Sequence, residues 1–225
     1  MLKKMLIIIA RFLLWLVARV EVIDIDNIPK NQPVIITANH IGFLDGILIL
    51  SLNEIINHPN LVVIIAEKWQ EIGFLRWAVG VLDWIFIDRY NPDIKSIREV
   101  LKRMKGNSLM VIAPEGTRSR HGAMIEGKPG ASYITAKTKA TIVPTAITGT
   151  DDRLLKKNLL HFKRMNVKLT FGKPYKLAPM PKETRDEYLK DTTDEIMCRI
   201  AALLPPSYRG IYSDHPRLNQ LLSNT

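Results

Sequence analysis

Short apolar runs alternate along the chain with longer amphipathic stretches. The apolar runs span five to seven residues and are rich in β-branched side chains, as is typical of strands buried on both faces. They predict strands at Val34–Ala38, Leu61–Ala66, Trp84–Asp88, Ser108–Ala113, Thr141–Ile147 and Val167–Phe171. Helical periodicity fills most intervals, at about Gly46–Ile56, Gly73–Val81, Asp93–Lys105 and Gly130–Lys139. This alternation predicts an α/β fold, with a mainly parallel or mixed sheet and helices on both faces.

The N-terminus reads as a short helix at a membrane surface. Met5–Ala18 is apolar except for Arg11, and its 14 residues fall short of the roughly 20 that a membrane span needs. On a helical wheel Lys3, Lys4, Arg11 and Arg19 fall within an arc of roughly 160°. We therefore expect an interfacial helix that lies in the headgroup plane, with a buried core helix as the alternative.

The C-terminal part divides at prolines. Thr184–Leu204 has the spacing of an amphipathic helix, and Pro205 and Pro206 end it. The remainder is polar and aperiodic. These features predict a membrane-interface helix at 1–20, a main domain at 21–204 and a loosely held polar C-terminal extension at 205–225.

Composition narrows the class of protein. With 225 residues, 47% hydrophobic and 24% charged, the chain fits one globular domain with terminal additions. A net charge of +10 and a pI near 9.7 favour a polyanionic partner, either nucleic acid or an anionic membrane. The single cysteine, Cys198, excludes an internal disulfide framework and suits a reducing compartment.

The first candidate for chemistry follows the strand that ends at Ala38. His40 stands at the strand end, and Asp45 opens the next helix five residues later. On one continuous helix the two side chains would diverge by about 140°, so they meet only if the chain turns, which Gly42 allows. Such a pair is a general base with an orienting carboxylate. No Ser or Cys nucleophile accompanies it, which suggests that His40 activates a hydroxyl brought by the substrate.

A second cluster, Ala113–Arg120, also follows a predicted strand. It holds two arginines, two hydroxyls and Gly116, a composition that suits an anion site because arginine offers a planar fork to phosphate oxygens. A solvated polar loop is the alternative interpretation. In parallel sheets, sites form outside the carboxyl ends of strands, where both clusters are predicted to lie.

Four blocks in this order resemble those of the glycerolipid acyltransferase family: Asn39–Asp45, Ile85–Arg89, Pro114–Arg118 and Ile142–Thr145. The resemblance covers about residues 28–176, and the third block is its most specific part. It implies transfer of a fatty acyl group from a thioester to the hydroxyl of a phosphate-bearing acceptor. The expected acceptor is 1-acyl-sn-glycerol 3-phosphate, which would yield phosphatidic acid.

The resemblance also implies roles for residues. His40 would be the catalytic base and Asp45 would orient it. The substrate-binding residues would be Arg89, Glu115, Gly116, Thr117, Arg118 and Pro144. Since a carboxylate repels phosphate, Glu115 is expected to orient an arginine or a sugar-like hydroxyl. Pro144 has no N–H for a sheet, so we expect an edge or a bulge there, beside the substrate.

The implied partners are a lysophospholipid acceptor, acyl-CoA or acyl carrier protein as donor substrate, and an anionic membrane surface. We expect no cofactor, and no metal because one histidine is a thin ligand set. The expected location is the cytoplasmic face of the cell membrane, peripheral or monotopic. Two other functions stay open: a His–Asp hydrolase of an anionic ester or thioester, and a basic nucleic-acid-binding module. The sequence lacks the usual nucleic-acid-binding signatures, so no nucleic acid is expected.

Overall fold

A seven-stranded sheet forms the centre of the protein. The computed structural model describes residues 2–88, 93–161 and 163–223. The strands are β1 (Ala18–Ile23), β2 (Val34–Ala38), β3 (Leu61–Ala66), β4 (Ile85–Ile87), β5 (Leu109–Ile112), β6 (Thr141–Thr148) and β7 (Met165–Phe171). They lie in the order β1-β7-β6-β2-β5-β3-β4. The pairings are parallel except that of β6 with β7, so the predicted α/β fold with a mixed sheet is confirmed.

Helices cover both faces of this sheet. They are α1 (Leu2–Val17), α2 (Asp45–Ser51), α3 (Asn53–Ile56), α4 (Gly73–Leu82), α5 (Ile94–Arg103), α6 (Gly130–Thr138), α7 (Asp152–Leu160), α8 (Arg185–Leu203) and α9 (Pro216–Ser223). Helices α1, α2 and α7 pack on one side, here called the front face, where Leu14 and Leu48 share a buried cluster with Ile36 of β2 and Leu155 packs against it. On the other side α5, α6 and α8 pack against alternate residues of the same strands.

The topology gathers strand ends at one edge. β2, β3, β4, β5 and β6 are mutually parallel, so their carboxyl ends all emerge together. Of the blocks singled out in the sequence, Asn39–Asp45 and Pro114–Arg118 begin just after such ends, and Ile85–Arg89 runs along β4 and past its end. The sheet therefore brings distant blocks to one place.

Pro144 lies inside the sheet, with β2 on one side and β7 on the other, so an edge position is wrong for it. The alternative, a bulge, is found. Thr145 pairs with Phe171, whereas Ile142 bridges to Tyr175, so the partner chain carries one extra residue opposite Pro144. The missing N–H costs no ladder bond there, and the Pro144 carbonyl accepts a hydrogen bond from the backbone of Gly172.

The N-terminal boundary differs from the predicted one. Helix α1 ends at Val17 and passes directly into β1, which pairs with β7, so residues 18–20 belong to the sheet and Arg19 is on a strand. Arg11 does not extend toward solvent: its guanidinium donates to the carbonyl of Ser51 and to Oδ1 of Asn53, 2.7 Å away. The predicted basic arc is therefore wrong for Arg11 and Arg19.

The remaining side chains of α1 are mostly apolar, which suits both a membrane-surface helix and a helix packed on the core. One buried residue, Leu14, joins the core, and the exposed apolar side chains are Leu2, Met5, Ile8, Ile9, Phe12, Leu13, Trp15 and Leu16. Among the described residues, no helix combines the length and the apolar character that crossing a membrane requires.

The prediction of a loosely held C-terminal extension is wrong. Residues after α8 fold back in short helical turns and α9, and they bury Tyr212 and Leu218 against the core. Arg217 donates to both carboxylate oxygens of Glu195 in α8. The predicted amphipathic helix itself is confirmed as α8, whose buried face contributes Ile196 and Ile200.

Candidate active site

His40 and Asp45 are in direct contact. The Nδ1 atom of His40 lies 2.9 Å from Oδ2 of Asp45, the first residue of α2. Because a carboxylate only accepts hydrogen bonds, this contact fixes the proton on Nδ1 and leaves the lone pair on Nε2. Asp45 is buried, with 3% of its side chain exposed, whereas 26% of the His40 side chain is exposed. The arrangement holds a basic nitrogen at an accessible surface.

The turn between them is organised by the same carboxylate oxygen. Oδ2 of Asp45 also accepts the backbone N–H groups of Ile41 at 2.7 Å and Gly42 at 2.8 Å. Position 42 requires glycine because the backbone of Thr150 packs closely against it, and not because of an unusual φ. A Cβ placed there would lie 1.8 Å from the carbonyl oxygen of Thr150. The end of β6 thus packs directly onto the turn that carries the pair.

Asn39, which directly precedes His40, is bound to strand β6 through its side chain. Its side chain is buried, donates to the carbonyl of Ile147 at 2.9 Å and accepts from the same residue's N–H at 2.8 Å. This two-point bond replaces strand pairing just where β2 ends. His40 therefore starts from a rigid position.

Glu115 holds His40 from the other side. Its Oε1 accepts the backbone N–H of His40 at 2.9 Å, and its Oε2 accepts that of Ile125 at 3.1 Å. Both of these partners are backbone groups, and the expectation that Glu115 orients an arginine or a sugar-like hydroxyl stays a prediction. Burial raises the pKa of Glu115 to about 7, against the lowering effect of these two hydrogen bonds. A further bond, from the N–H of Ser119 to the His40 carbonyl at 2.8 Å, completes the attachment of this loop.

Arg118 lies beside the pair but is engaged by a carboxylate. Its Nη1 donates to Oδ2 of Asp152 at 2.6 Å, and its guanidinium lies over the ring of Phe43 at 5.8 Å. Oδ1 of Asp152 accepts the backbone N–H of Phe43 at 2.7 Å. One carboxylate therefore links the arginine to the His40–Asp45 turn.

These groups surround a cavity of about 350 Å³. Its lining residues are His40, Ile41, Lys68, Trp69, Thr117, Arg118, Ser119, Arg120, Asp151, Asp152 and Arg153. Gly116 lies next to this group with a φ of +67°, a conformation that favours glycine in the tight loop. Pro144 is not among the lining residues and lies buried in the sheet, so its predicted contact with the substrate stays a prediction.

A second, larger cavity of about 550 Å³ adjoins the first, since Lys68 lines both. Its other lining residues include Glu67 and Asp88, which directly follow β3 and β4, Glu71 between β3 and α4, and Arg76 of α4. The predicted phosphate ligand Arg89 follows Asp88 directly but lies outside the described residues. The structure thus places the Ile85–Asp88 part of that block beside the His40 cavity.

Sequence reasoning missed Asp151 and Asp152 as parts of the site. A signal was present only for the helix start, because aspartate is a preferred N-cap residue and Asp151 caps α7 by accepting the N–H of Arg153. Lys68 carried no comparable signal, and Asn39 belongs to the block Asn39–Asp45 but its bond to Ile147 could not be read from it. Their positions depend on which strand ends the sheet brings together.

The comparisons with known proteins point in one direction. The family model described as Acyltransferase matches residues 19–148. A 1-acyl-sn-glycerol-3-phosphate acyltransferase from Cocos nucifera is 29% identical over 186 residues, 80% of this chain and 58% of that protein. The alpha form from Homo sapiens is 32% identical over 146 residues, 62% of this chain and 49% of that protein. The chain spans about half to three fifths of the length of these relatives.

A bacterial relative and a solved structure agree with these matches. The 1-acyl-sn-glycerol-3-phosphate acyltransferase of Borreliella burgdorferi is 29% identical over 146 residues, 64% of this chain and 57% of that protein. The crystal structure of the 1-acyl-sn-glycerophosphate acyltransferase PlsC from Thermotoga maritima superposes with a TM-score of 0.61 at 25% identity, covering 85% of this chain and 76% of that one. Sequence blocks, sheet topology and family model agree, and the chain belongs to the acyltransferase family.

Proposed function

We propose that the chain transfers a fatty acyl group from an acyl thioester to the hydroxyl of 1-acyl-sn-glycerol 3-phosphate, giving phosphatidic acid. The observation that carries this proposal is the buried Asp45 carboxylate bound to Nδ1 of His40, at a cavity that Arg118 also lines. The names of the relatives support the choice of acceptor.

The chemistry follows from the proton positions. Nε2 of His40 takes the proton of the acceptor hydroxyl as its oxygen attacks the thioester carbonyl. Asp45 stabilises the imidazolium that forms and keeps the ring oriented. The tetrahedral intermediate then expels the thiolate, which receives the proton from His40, so the base is regenerated. No covalent acyl-enzyme is required.

The acceptor phosphate is assigned to the arginines of the site. Arg118 offers charge-assisted hydrogen bonds to phosphate oxygens once Asp152 is displaced, and Arg89, which lies outside the described residues, is proposed as a second ligand. Thr117 and the backbone around Gly116 complete the loop. The donor is acyl-CoA or acyl carrier protein. Lys68 and Arg76 of the adjoining cavity are the proposed cations for its phosphates, and they lie beside the acidic Glu67, Glu71 and Asp88 of the same lining.

The decisive experiment is mass spectrometry of lipid products made by the purified protein. The acceptors would be 1-acyl-sn-glycerol 3-phosphate, glycerol 3-phosphate and a lysophospholipid with a blocked phosphate, each with both donors. Phosphatidic acid formed from the first acceptor alone supports the proposal. Release of free fatty acid without acyl transfer would point to the hydrolase instead.

We also propose attachment to the cytoplasmic face of the cell membrane through the exposed apolar side chains of α1, as a peripheral or monotopic protein. The single cysteine is compatible with a reducing compartment. Because Leu14 is part of the core, the test should substitute exposed residues rather than delete the helix.

Ile8→Ser with Phe12→Ser should reduce flotation with vesicles that contain phosphatidylglycerol. Ile211→Ser is a matched control, since Ile211 is 64% exposed and Ile8 is 65% exposed. Equal flotation of wild type and the α1 variant would place the membrane contact elsewhere.

A further inference from the structure

Helix α7 has an outer face that combines exposed leucines with lysines. Leu155 is its inward side chain and packs on the front-face core, whereas Leu160 is 79% exposed. At about 100° per residue, Leu160 points roughly 140° away from Leu155, with Lys156 and Lys157 within about 60° on its two sides. Both lysines are exposed. A helix that only faced water would gain nothing from a leucine at the centre of its basic face.

The partner for such a face must offer apolar and anionic groups together. A bilayer with anionic lipids does so, since leucines enter the acyl boundary while lysine ammonium groups reach the headgroup phosphates. Leu154, 43% exposed, and Leu159, 52% exposed, lie about 120° and 100° from Leu160 around the helix, so they flank this face rather than form its centre. The face therefore has the composition of an interfacial helix.

A second observation connects this face with α1. Arg164, just beyond α7, places its guanidinium 5.2 Å from the ring centroid of Trp15 and donates to the carbonyl of Ala18 at 2.6 Å. Trp15 is itself 60% exposed. Because α1 and α7 also pack on the same front face of the sheet, their exposed apolar side chains belong to one side of the protein.

Helix α7 also adjoins the His40 cavity, so contact of α7 with a bilayer would affect the position of the cavity. Its first turn supplies Asp152 and Arg153 to the cavity lining, and Asp152 binds Arg118. A bilayer that holds α7 would hold that wall of the cavity at the lipid surface, where a lysolipid acceptor resides.

We propose that α7 is a second membrane-contacting helix, which binds anionic bilayers through Leu160, Lys156 and Lys157 and presents the His40 cavity to the lipid. The proposal rests on the proposed function, which places the acceptor in a membrane. An acidic carrier protein could also pair with the lysines, but the exposed Trp15 and Leu160 beside them favour a bilayer.

The test measures binding of the full chain, without substrates, to vesicles of phosphatidylcholine alone or mixed with phosphatidylglycerol. Lys156→Gln with Lys157→Gln should weaken binding to the anionic vesicles on the order of 30-fold at low salt, since each lysine near such a surface contributes about 1 kcal/mol. High salt and neutral vesicles should abolish this difference. Leu160→Ser should weaken binding roughly tenfold at every salt concentration, since burial of apolar area is not screened.

Matched controls come from regions away from α7. Lys182→Gln with Lys190→Gln removes the same charge before and within α8, and Ile211→Ser removes another exposed apolar side chain, 64% exposed against 79% for Leu160. These variants should bind vesicles like wild type. Turnover on acceptor dispersed in detergent micelles should be unchanged in the α7 variants, because their changed side chains are not among the cavity-lining residues.

Vesicle binding equal to wild type in both α7 variants would overturn the proposal, and so would loss of carrier-protein binding with vesicle binding intact. A protein that binds vesicles through α7 but transfers no acyl group to any acceptor would instead contradict the proposed function. The two failures are therefore distinguishable.

Discussion

The carboxylate of Glu115 accepts a hydrogen bond from the backbone N–H of His40, at 2.9 Å. The acid of one sequence block thus holds the base of another, 75 residues earlier in the chain. This contact is made by the backbone of His40, so it sets the place of the residue rather than the state of its ring. Glu115 is a positioning residue by this geometry.

The raised pKa of Glu115 makes stability depend on pH. An ordinary glutamate has a pKa of 4.5, and burial raises that of Glu115 to about 7. Between these values the folded protein holds a proton that the unfolded chain has lost, so the free energy of unfolding falls as pH rises through this window. The fall contributed by Glu115 is on the order of 3 kcal/mol at most.

Urea unfolding of wild type and Glu115→Gln at a series of pH values from 5 to 8 checks this, and the variant should lose much of the decline. Glu126→Gln, at an exposed position of the same loop, is the control. A wild-type stability that rises with pH across the window, and does so equally in Glu115→Gln, would contradict the assignment.

His40→Ala and Asp45→Asn should each lower the rate of acyl transfer by about 10²–10⁴-fold with the fold retained. Asparagine keeps an oxygen for the N–H groups of Ile41 and Gly42 but no longer enforces the proton on Nδ1. The double variant should be little worse than either single one, because the pair acts as a unit. Turnover and circular dichroism of the three variants provide the measurement, with His58→Ala as the control. Near-normal turnover of His40→Ala would identify a different base.

Gly42→Ala should damage both stability and activity, because its Cβ would lie 1.8 Å from the carbonyl oxygen of Thr150. Relief of such overpacking typically costs about 1–3 kcal/mol or more and would move the His40–Asp45 turn. Gly46→Ala is a matched control four residues on, since a Cβ there meets nothing within 4 Å. It should be neutral or stabilise α2 by up to roughly 1 kcal/mol. Thermal unfolding and turnover compare the two; equal behaviour would show that the Thr150 contact yields easily.

Arg118→Ala and Asp152→Asn should change the acceptor KM in opposite directions. Loss of the arginine removes a charge-assisted bond worth about 1.5–3 kcal/mol and should raise KM about 10- to 100-fold. Loss of the competing carboxylate frees Arg118 and should lower KM by up to about fivefold, the range for a partly exposed ion pair. Donor KM should stay constant in both, and Asp186→Asn in α8 is the control. A rise in donor KM alone would reassign Arg118 to the donor.

β2, β3 and β5 could be predicted from sequence because each is a largely continuous apolar run, and β7 because its apolar and polar residues alternate. β1 could not be delimited in this way: the apolar character of α1 continues across Val17 and Ala18 with no boundary signal. The predicted helix Gly46–Ile56 is broken at Leu52, in extended conformation, where Arg11 binds the carbonyl of Ser51. Such breaks depend on contacts from 40 residues away.

In the site, too, contacts between residues close in sequence were predictable and contacts between distant residues were not. His40 and Asp45 are close in sequence, so their meeting followed from one turn. The partners of Glu115 and Arg118 are backbone groups and a carboxylate from elsewhere, which residue types do not disclose. The packing of Leu218 and Tyr212 escaped prediction for the same reason, since it relies on α8.

Helix α1 runs into β1 with no intervening residue, and β1 is paired along its length with β7. In the proposed membrane-bound state the enzyme is therefore held rigidly on the lipid surface, with no flexible linker between α1 and the sheet. Its cavity keeps a fixed distance from the bilayer and a fixed orientation relative to it. Only acceptor hydroxyls at a matching depth in the membrane therefore come within reach of His40. A few glycine and serine residues inserted between Val17 and Ala18 would keep the protein on vesicles while making its regioselectivity toward the glycerol backbone less strict.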